Sequence, residues 1–330
     1  MNPLIPQSTL AKLNNPAPEG HRHDQIVDIA VSLKSHGWED EMIFDIIRPR
    51  YPNTGPHPVP DKEIWGIIDG TVEYDLRPYA TDGALQSPLA DVKAPDSRVV
   101  GVLPPDEAVR RFVGDFRCTE ADLINKSPEG ICRAPWEQAA WFIYRMYEPH
   151  DLINIVSDFI VGEDGKAKPT GFGDTLRRCE WLVFRFKRTQ RAPQSEAGAW
   201  IRMNPLDGHG IKDRNVKAYR YTLLEFDELP LDLQLVFFAR LRLPIAALVK
   251  SGRRSVHCWV RVEARNAAEY AKSVAELFDM LTPFGIDKAN KNPSRLARLP
   301  GACRKFDGEG DGLQRLLYLN PSPRMEAIYA

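Results

Sequence analysis

Between residues 218 and 281 the chain switches repeatedly between two periodicities, and this succession restricts the fold more than any other feature. Residues 218–226 and 256–262 alternate apolar with polar side chains, and residues 245–250 form a short apolar run. These are the patterns of half-buried and fully buried strands. Residues 231–241 and 267–281 carry apolar side chains at helical spacing instead. Further strand-like runs lie at 181–186, 199–203 and 313–319. Pro104-Pro105-Asp106 opens a helix, and residues 134–147, rich in Trp, Phe, Tyr and Met, read as a buried one. Strands and helices alternating in this way, some joined by short turns, predict an α+β fold in which helices back a sheet. No internal repeat is evident.

Upstream, the pattern is purely helical. Ile26, Ile29, Ala30 and Leu33 recur at helical spacing and Gly37 stops the run. Met42, Ile43, Ile46 and Ile47 mark a second helix. Asp61 is an N-cap for a third carrying Ile64, Ile67 and Ile68. The expected organisation is therefore a Pro/Asn-rich mobile tail over 1–20, a small three-helix bundle over 21–78, a linker over 79–99 and a mixed domain over 100–330. A chain of 330 residues accommodates such a two-domain plan. Apolar runs are short and broken by charge, and the first residues lack a leader pattern, so a cytoplasmic protein is expected. The five cysteines, Cys118, Cys132, Cys179, Cys258 and Cys303, show no CxxC spacing, which speaks against disulfides and a cysteine-rich zinc site.

The net charge of −1 excludes a uniformly basic nucleic-acid binder. From Arg177 to Arg220, however, there are eleven Arg or Lys against four Asp or Glu. Such a stretch is either a solvated charged face or the footprint of a phosphate backbone.

Three segments carry candidate chemistry. In Leu223-Leu224-Glu225-Phe226-Asp227, alternate residues of a strand share a face, so two carboxylates about 7 Å apart would project together. A divalent cation between them would relieve their repulsion, and Mg²⁺ takes such hard oxygen ligands. The same pair could instead face water or cap the helix after Leu229-Pro230. In Lys250-Ser251-Gly252-Arg253-Arg254-Ser255-Val256-His257, a glycine-bearing turn leads to a strand that places Ser255, His257 and Trp259 on one side. Arginines and hydroxyls at a turn can surround a triphosphate, although a lone strand histidine is commonly structural. The third segment runs from Gly285-Ile286-Asp287 through the basic residues Arg295 and Arg298 to Pro300-Gly301. It offers another carboxylate and two guanidiniums, and equally reads as an exposed loop.

The order of the three segments resembles the archaeo-eukaryotic primase superfamily, and in particular the primase domains of phage and plasmid replication proteins. There a stretch like Gly198-Ala199-Trp200-Ile201-Arg202-Met203-Asn204-Pro205 precedes the acidic strand. A segment like Asn292-Pro293-Ser294-Arg295-Leu296-Ala297-Arg298-Leu299-Pro300-Gly301 follows the third carboxylate. The resemblance spans residues 180–318, more weakly back to 100. It implies an RRM-like primase-polymerase core of two α/β halves with the active cleft between them. It also implies Glu225, Asp227 and Asp287 as ligands of two Mg²⁺ or Mn²⁺ ions. Glu225 stands where many relatives have Asp, and Asp307 competes with Asp287 for the third position. Ser255 and His257 are implied at the incoming nucleotide's phosphates, with Lys250, Arg253, Arg295 and Arg298 as further nucleotide-binding residues. The N-terminal helices are similar to the helical domain of primase C-terminal type that accompanies such enzymes. Some relatives carry a zinc insertion, for which this chain has no Cys/His cluster, so no zinc is expected.

The expected activity is primer synthesis by a DNA-templated nucleotidyltransferase, with single-stranded DNA and nucleoside triphosphates as partners. The sequence contains no GxxxxGK[ST] phosphate loop, so a helicase would act in trans or from a further C-terminal part. Two other classes stay open: a non-catalytic replication initiator with a degenerate primase fold, and a two-metal nuclease. His21-Arg22-His23 forms an HxH of the kind a rolling-circle endonuclease uses, but it precedes a helix and no nearby Tyr-bearing helix accompanies it, so that reading is rejected.

Overall fold

The computed structural model describes residues 5, 7–34, 38, 40–54, 58–70, 103–163, 165, 167–305 and 311–329. The expected linker at 79–99 lies outside them, as does Asp307. The chain divides into two compact units, Met1–Gly83 and Ala84–Ala330.

The first unit contains α1 (Gln7–Asn14), α2 (Arg22–Lys34), α3 (Asp40–Ile47) and α4 (Asp61–Gly70). Its core is built from the residues whose spacing marked the helices, with Ile26, Ile29, Leu33, Ile43, Ile47, Ile64 and Ile68 all fully buried. Phe44 and Trp65 stack at 4.6 Å between centroids, and Arg48 bonds the Val59 carbonyl while pairing with Asp61 at 2.6 Å. The Pro/Asn-rich start, expected as a mobile tail, contains α1. Its Thr9 and Leu13, four residues apart, are buried against α2, where Thr9 bonds Ser32 at 2.6 Å and Lys12 pairs with Asp28 at 2.7 Å. The run is too short for its periodicity to stand out, and tertiary contacts decide it.

The second unit runs α5 (Pro105–Val113), α6 (Glu120–Lys126), α7 (Pro135–Met146), β1 (Leu152–Val156), β2 (Phe159–Val161), β3 (Ala167–Pro169), β4 (Asp174–Arg177) and α8 (Arg178–Glu180), which continues as a π-helix over Trp181–Lys187. Then follow β5 (Trp200–Arg202), β6 (Tyr219–Leu224), α9 (Leu231–Arg240), β7 (Ile245–Lys250), β8 (Val256–Ala264), α10 (Ala267–Leu281), β9 (Leu296–Arg298) and β10 (Leu316–Leu319). Two four-stranded antiparallel sheets result, in the orders β4-β1-β5-β9 and β10-β7-β8-β6, besides a β2-β3 hairpin. The fold is thus α+β in two halves. In the second half β6-α9-β7-β8-α10-β10 follow the strand-helix-strand-strand-helix-strand succession of an RRM-like domain, while the sheet order differs, β10 pairing with β7 and leaving β6 at the edge. Its β9 detours into the other sheet.

Alternation along β8 sends Val256, Cys258, Val260 and Val262 into a core shared with α5, α9 and α10. Phe237 and Phe238 of α9 are both fully buried there, each stabilising the unit by about 1.5–3 kcal/mol. The opposite face places Trp259 edge-on to Phe142 of α7 at 5.0 Å and against Tyr221 of β6 at 5.8 Å. Residues 181–186, expected as a strand, form the π-helix. Its wider turn stacks residues five apart; Trp181 and Phe186 are both buried, 6.0 Å apart, and the Trp181 indole N–H donates to the Ile153 carbonyl of β1. Aromatic and β-branched content reads as strand locally, and this anchoring overrides it. Among the described residues no helix is long and apolar enough to cross a membrane.

Candidate active site

Strand β6 ends at Leu224, two residues earlier than its alternation suggests, so Glu225 and Asp227 stand on the segment leaving the strand. The alternation persists in burial: Phe226 packs into the core, Glu225 is half-buried and Asp227 is exposed. Next to this exit, β7 and β8 are joined by the turn Ser251–Ser255. Gly252 has φ +80, and a Cβ there would collide with the Gly312 carbonyl, so only glycine lets the turn lie this close to the closing strand. The turn is knit by Ser251 N–H to the Ser255 carbonyl at 2.8 Å and by Ser255 Oγ with Ser251 Oγ at 2.9 Å.

These elements converge on Glu225. Ser255 Oγ donates to Glu225 Oε1 at 3.1 Å, and His257 Nε2 lies 3.2 Å from the same oxygen. His257 Nδ1 accepts the backbone N–H of Arg298 at 3.0 Å. A ring nitrogen that accepts carries no proton, so the proton of neutral His257 sits on Nε2 and points at the carboxylate. The third segment arrives through its backbone, the Asp287 N–H donating to the Glu225 carbonyl at 2.9 Å. Burial works against ionisation of Glu225, but His257, the bond from Ser255 and the Arg295 charge more than offset it, lowering its pKa from 4.5 to about 2.

Behind the carboxylate lies a cluster of guanidiniums. Arg298 is buried, stacks over Trp200 with its Cζ 4.1 Å from the ring centroid, and donates to the Ala197 carbonyl at 2.6 Å. Burial first, then the neighbouring Arg304 and Arg253, bring its pKa down to about 9. Arg304 is lowered by burial and by Arg253, and it bonds the Ser251 carbonyl at 3.4 Å. Arginines crowded in this way are poised to accept anionic charge.

Of the residues singled out by the sequence, Glu225, Ser255, His257, Asp287, Arg295 and Arg298 are brought together, with Arg253 facing solvent beside them. Asp227 is two residues from Glu225 on the exposed exit. Lys250 is turned elsewhere, its ammonium pairing with Glu120 of α6 at 2.5 Å. Four residues of the site carried no expectation. Arg304 closes the guanidinium cluster. Asn204 is fully used, its amide donating to the Tyr221 and Pro293 carbonyls and its oxygen accepting from Arg220 and Tyr221. Gln314, also buried, bonds the Ala199 and Leu299 carbonyls. Arg202 bonds three separate segments at once. Asn204 and Arg202 lie inside the quoted Gly198–Pro205 stretch, and that was the only available signal. Gln314 and Arg304 had none, because their partners are distant in sequence. The two long stretches carrying the resemblance prove to be neighbouring strands, pairing Trp200 with Arg298, Ile201 with Ala297 and Arg202 with Leu296.

The donor chemistry suits a hard divalent cation: Glu225 is ionised, both bonds it accepts fall on Oε1, Asp227 follows it by two residues, and the Asp287 main chain bonds that of Glu225. As arranged, no group of three His, Cys, Asp or Glu side chains among the described residues is set to hold one ion. Asp287 instead caps a short turn, accepting from the Ala289 N–H and the Asn290 amide, both at 2.9 Å. Binding an ion through all three carboxylates would require Asp287 to leave that cap.

No protein-family model matches this chain, and no curated protein sequence matches it significantly. Among solved structures, it is similar to primase catalytic domains. One is the AEP domain of the cyanophage S-2L primase-polymerase (PrimPol), PP-N190, at a TM-score of 0.39 and 16% identity over 57% of this chain and 91% of that one. The others are primase RepB' (0.37, 16%, 58% of each chain) and the catalytic domain of primase RepB' in complex with initiator DNA (0.38, 14%, 58% and 89%).

Proposed function

We propose that the chain is a DNA-templated nucleotidyltransferase, a primase or primase-polymerase that extends or starts strands on single-stranded DNA. The observation that carries this reading is the convergence on one ionised carboxylate, Glu225, of two other segments, those of Ser255 and His257 and of Asp287, which begin 30 and 62 residues further along the chain and bear groups suited to phosphoryl chemistry. Glu225, Asp227 and Asp287 would hold divalent metal, Mg²⁺ or Mn²⁺, which would supply charge neutralisation at the reacting phosphate. His257, oriented by the Arg298 N–H, holds Glu225 ionised and in place. Arg253, Arg298 and Arg304 offer positive charge to a triphosphate, and Arg295 adds its charge at Glu225. Ser255 orients Glu225 from the turn. Strand separation for such an enzyme would come from a helicase acting beside it.

The test is nucleotide incorporation on a single-stranded template, with and without primer, comparing wild type with the Glu225→Ala/Asp227→Ala double variant. Products made only by wild type, and lost on chelation of divalent metal, support the reading. Template binding without products from either protein would favour a non-catalytic initiator. Cleavage of single-stranded DNA in the absence of nucleotides would favour a nuclease.

A further inference from the structure

Phe172 is the most exposed large hydrophobic residue among those described, 71% accessible, on a loop between β3 and β4. An exposed phenylalanine in isolation needs no explanation. Here the loop is built to hold it outward. Gly173 has φ +125, and a Cβ at that position would collide with the Ile155 carbonyl, so the backbone presses directly on β1. On the other side, the Gly171 carbonyl accepts Arg202 Nη2 at 2.7 Å. Arg202 is buried, and its two other bonds run to Asn154 Oδ1 at 3.0 Å and to the Ser294 carbonyl at 2.5 Å. One guanidinium therefore braces the Phe172 loop, the centre of the first sheet and the segment that leads to Arg295 beside Glu225.

Cations stand on the elements next to the loop. Arg185 of the π-helix pairs at 2.8 Å with Asp174, two residues beyond Phe172, and Lys187 and Arg188 follow it, all exposed. Lys168 is exposed on the neighbouring hairpin, opposite Ile160 in register, and Ile160 and Val161 add accessible apolar surface. The surface is not uniformly basic, since Asp158 and Glu163 are also exposed there. A rigidly presented aromatic ring flanked by cations is the arrangement that single-stranded nucleic acid recognises: a base stacks on the ring while the backbone phosphates meet the cations. Ile160 and Val161 are aliphatic and offer no stacking face, so it is the Phe172 ring with the cations on the neighbouring elements that favours nucleic acid over a protein partner.

We infer that Phe172 is a stacking platform for a base of the single-stranded template, with Arg185, Lys187 and Arg188 taking its phosphates, so that Arg202 couples template position to the Arg295 side of the active site. The inference rests on the templated reading above. Its test avoids the chemistry by measuring binding without nucleotides and with divalent metal chelated. A fluorescein-labelled single-stranded oligodeoxynucleotide is titrated with full-length wild type, Phe172→Ala, Phe172→Leu and Phe172→Trp, and folding is checked by melting temperature.

Loss of a stacked base weakens binding by about 5- to 150-fold, which is the loss expected for Phe172→Ala. Phe172→Leu should be similarly weak, and Phe172→Trp should bind like wild type with its added tryptophan emission quenched by the oligonucleotide. Wild-type affinity in the alanine variant would overturn the inference. So would full rescue by leucine, which would mark a merely apolar contact, or failure of wild type to bind at all. If Phe172 matters for binding but no variant or wild type incorporates nucleotides, the stacking role stands and the catalytic reading falls. If wild type incorporates nucleotides and Phe172→Ala binds normally, the reverse holds.

Discussion

Replacing Glu225 by glutamine tests the electrostatic arrangement at the centre of the site while preserving its shape. A fall in pKa from 4.5 to about 2 corresponds to roughly 3 kcal/mol of preference for the ionised over the neutral side chain. Glutamine keeps an acceptor oxygen for Ser255 Oγ and for the His257 Nε2–H, so the loss is confined to the charge-assisted part of these bonds. The expected destabilisation at pH 7 is about 1.5–3 kcal/mol. Because the folded-state pKa is depressed, this contribution is fully present above the unfolded value of 4.5. It is lost as pH falls towards about 2, where the unfolded carboxylate takes up protons before the folded one does. The gap between wild type and Glu225→Gln should therefore be widest at neutral pH and shrink below about pH 4.5. Urea unfolding followed by tryptophan fluorescence reads it, since Trp136, Trp141, Trp181, Trp200 and Trp259 all report on the second unit. Glu225→Ala, which leaves the buried His257 Nε2–H without its acceptor, should be less stable than Glu225→Gln. Equal stability of wild type and Glu225→Gln at pH 7, or a gap that widens on acidification, would refute the arrangement.

Other perturbations separate folding from chemistry. Asp287→Asn keeps an oxygen to cap the Lys288–Asn290 turn and should fold like wild type yet lose nucleotide incorporation; Asp287→Ala should in addition lose about 1 kcal/mol of stability in the same urea assay. Arg202→Lys cannot reach Asn154, Gly171 and Ser294 together, and should cost about 3 kcal/mol as well as weaken oligonucleotide binding. Gly252→Ala combines a left-handed backbone with a collision against the Gly312 carbonyl, and should destabilise by about 1–3 kcal/mol while displacing Ser255 from Glu225. Wild-type incorporation by that variant would show that the Ser255–Glu225 bond is dispensable.

Arg298 shows how strand and loop readings compete. Its segment reads as a polar loop, because Asn, Lys, Ser and Arg dominate residues 290–298. It pairs with β5 as β9 because the Trp200 ring covers its guanidinium and Ala197 accepts from it. Burial of a charged side chain by partners a hundred residues away leaves no periodic trace. The π-helix at Trp181–Lys187 is the converse case, where a locally strand-like run is bent to place one indole on β1.

What the sequence determined by itself was whatever rests on local periodicity and on residue type. The bounds of β7 and of α10, helices α2, α3 and α4 of the first unit and the inward face of β8 follow from apolar spacing, since burying one face is the dominant stabilising term. The identity of the acidic, hydroxyl, imidazole and guanidinium groups was likewise readable, because chemistry of this kind needs those types. Tertiary structure alone decided which of them meet. It turned Lys250 to Glu120, gave His257 its tautomer through a backbone N–H from another sheet, and set Asp287 against Glu225 by a main-chain bond. It also recruited Arg202 and Arg304, whose partners lie tens of residues away. Hydrogen bonds and charge pairs act over a few ångströms in space with no fixed offset along the chain, so they appear only once the fold has closed.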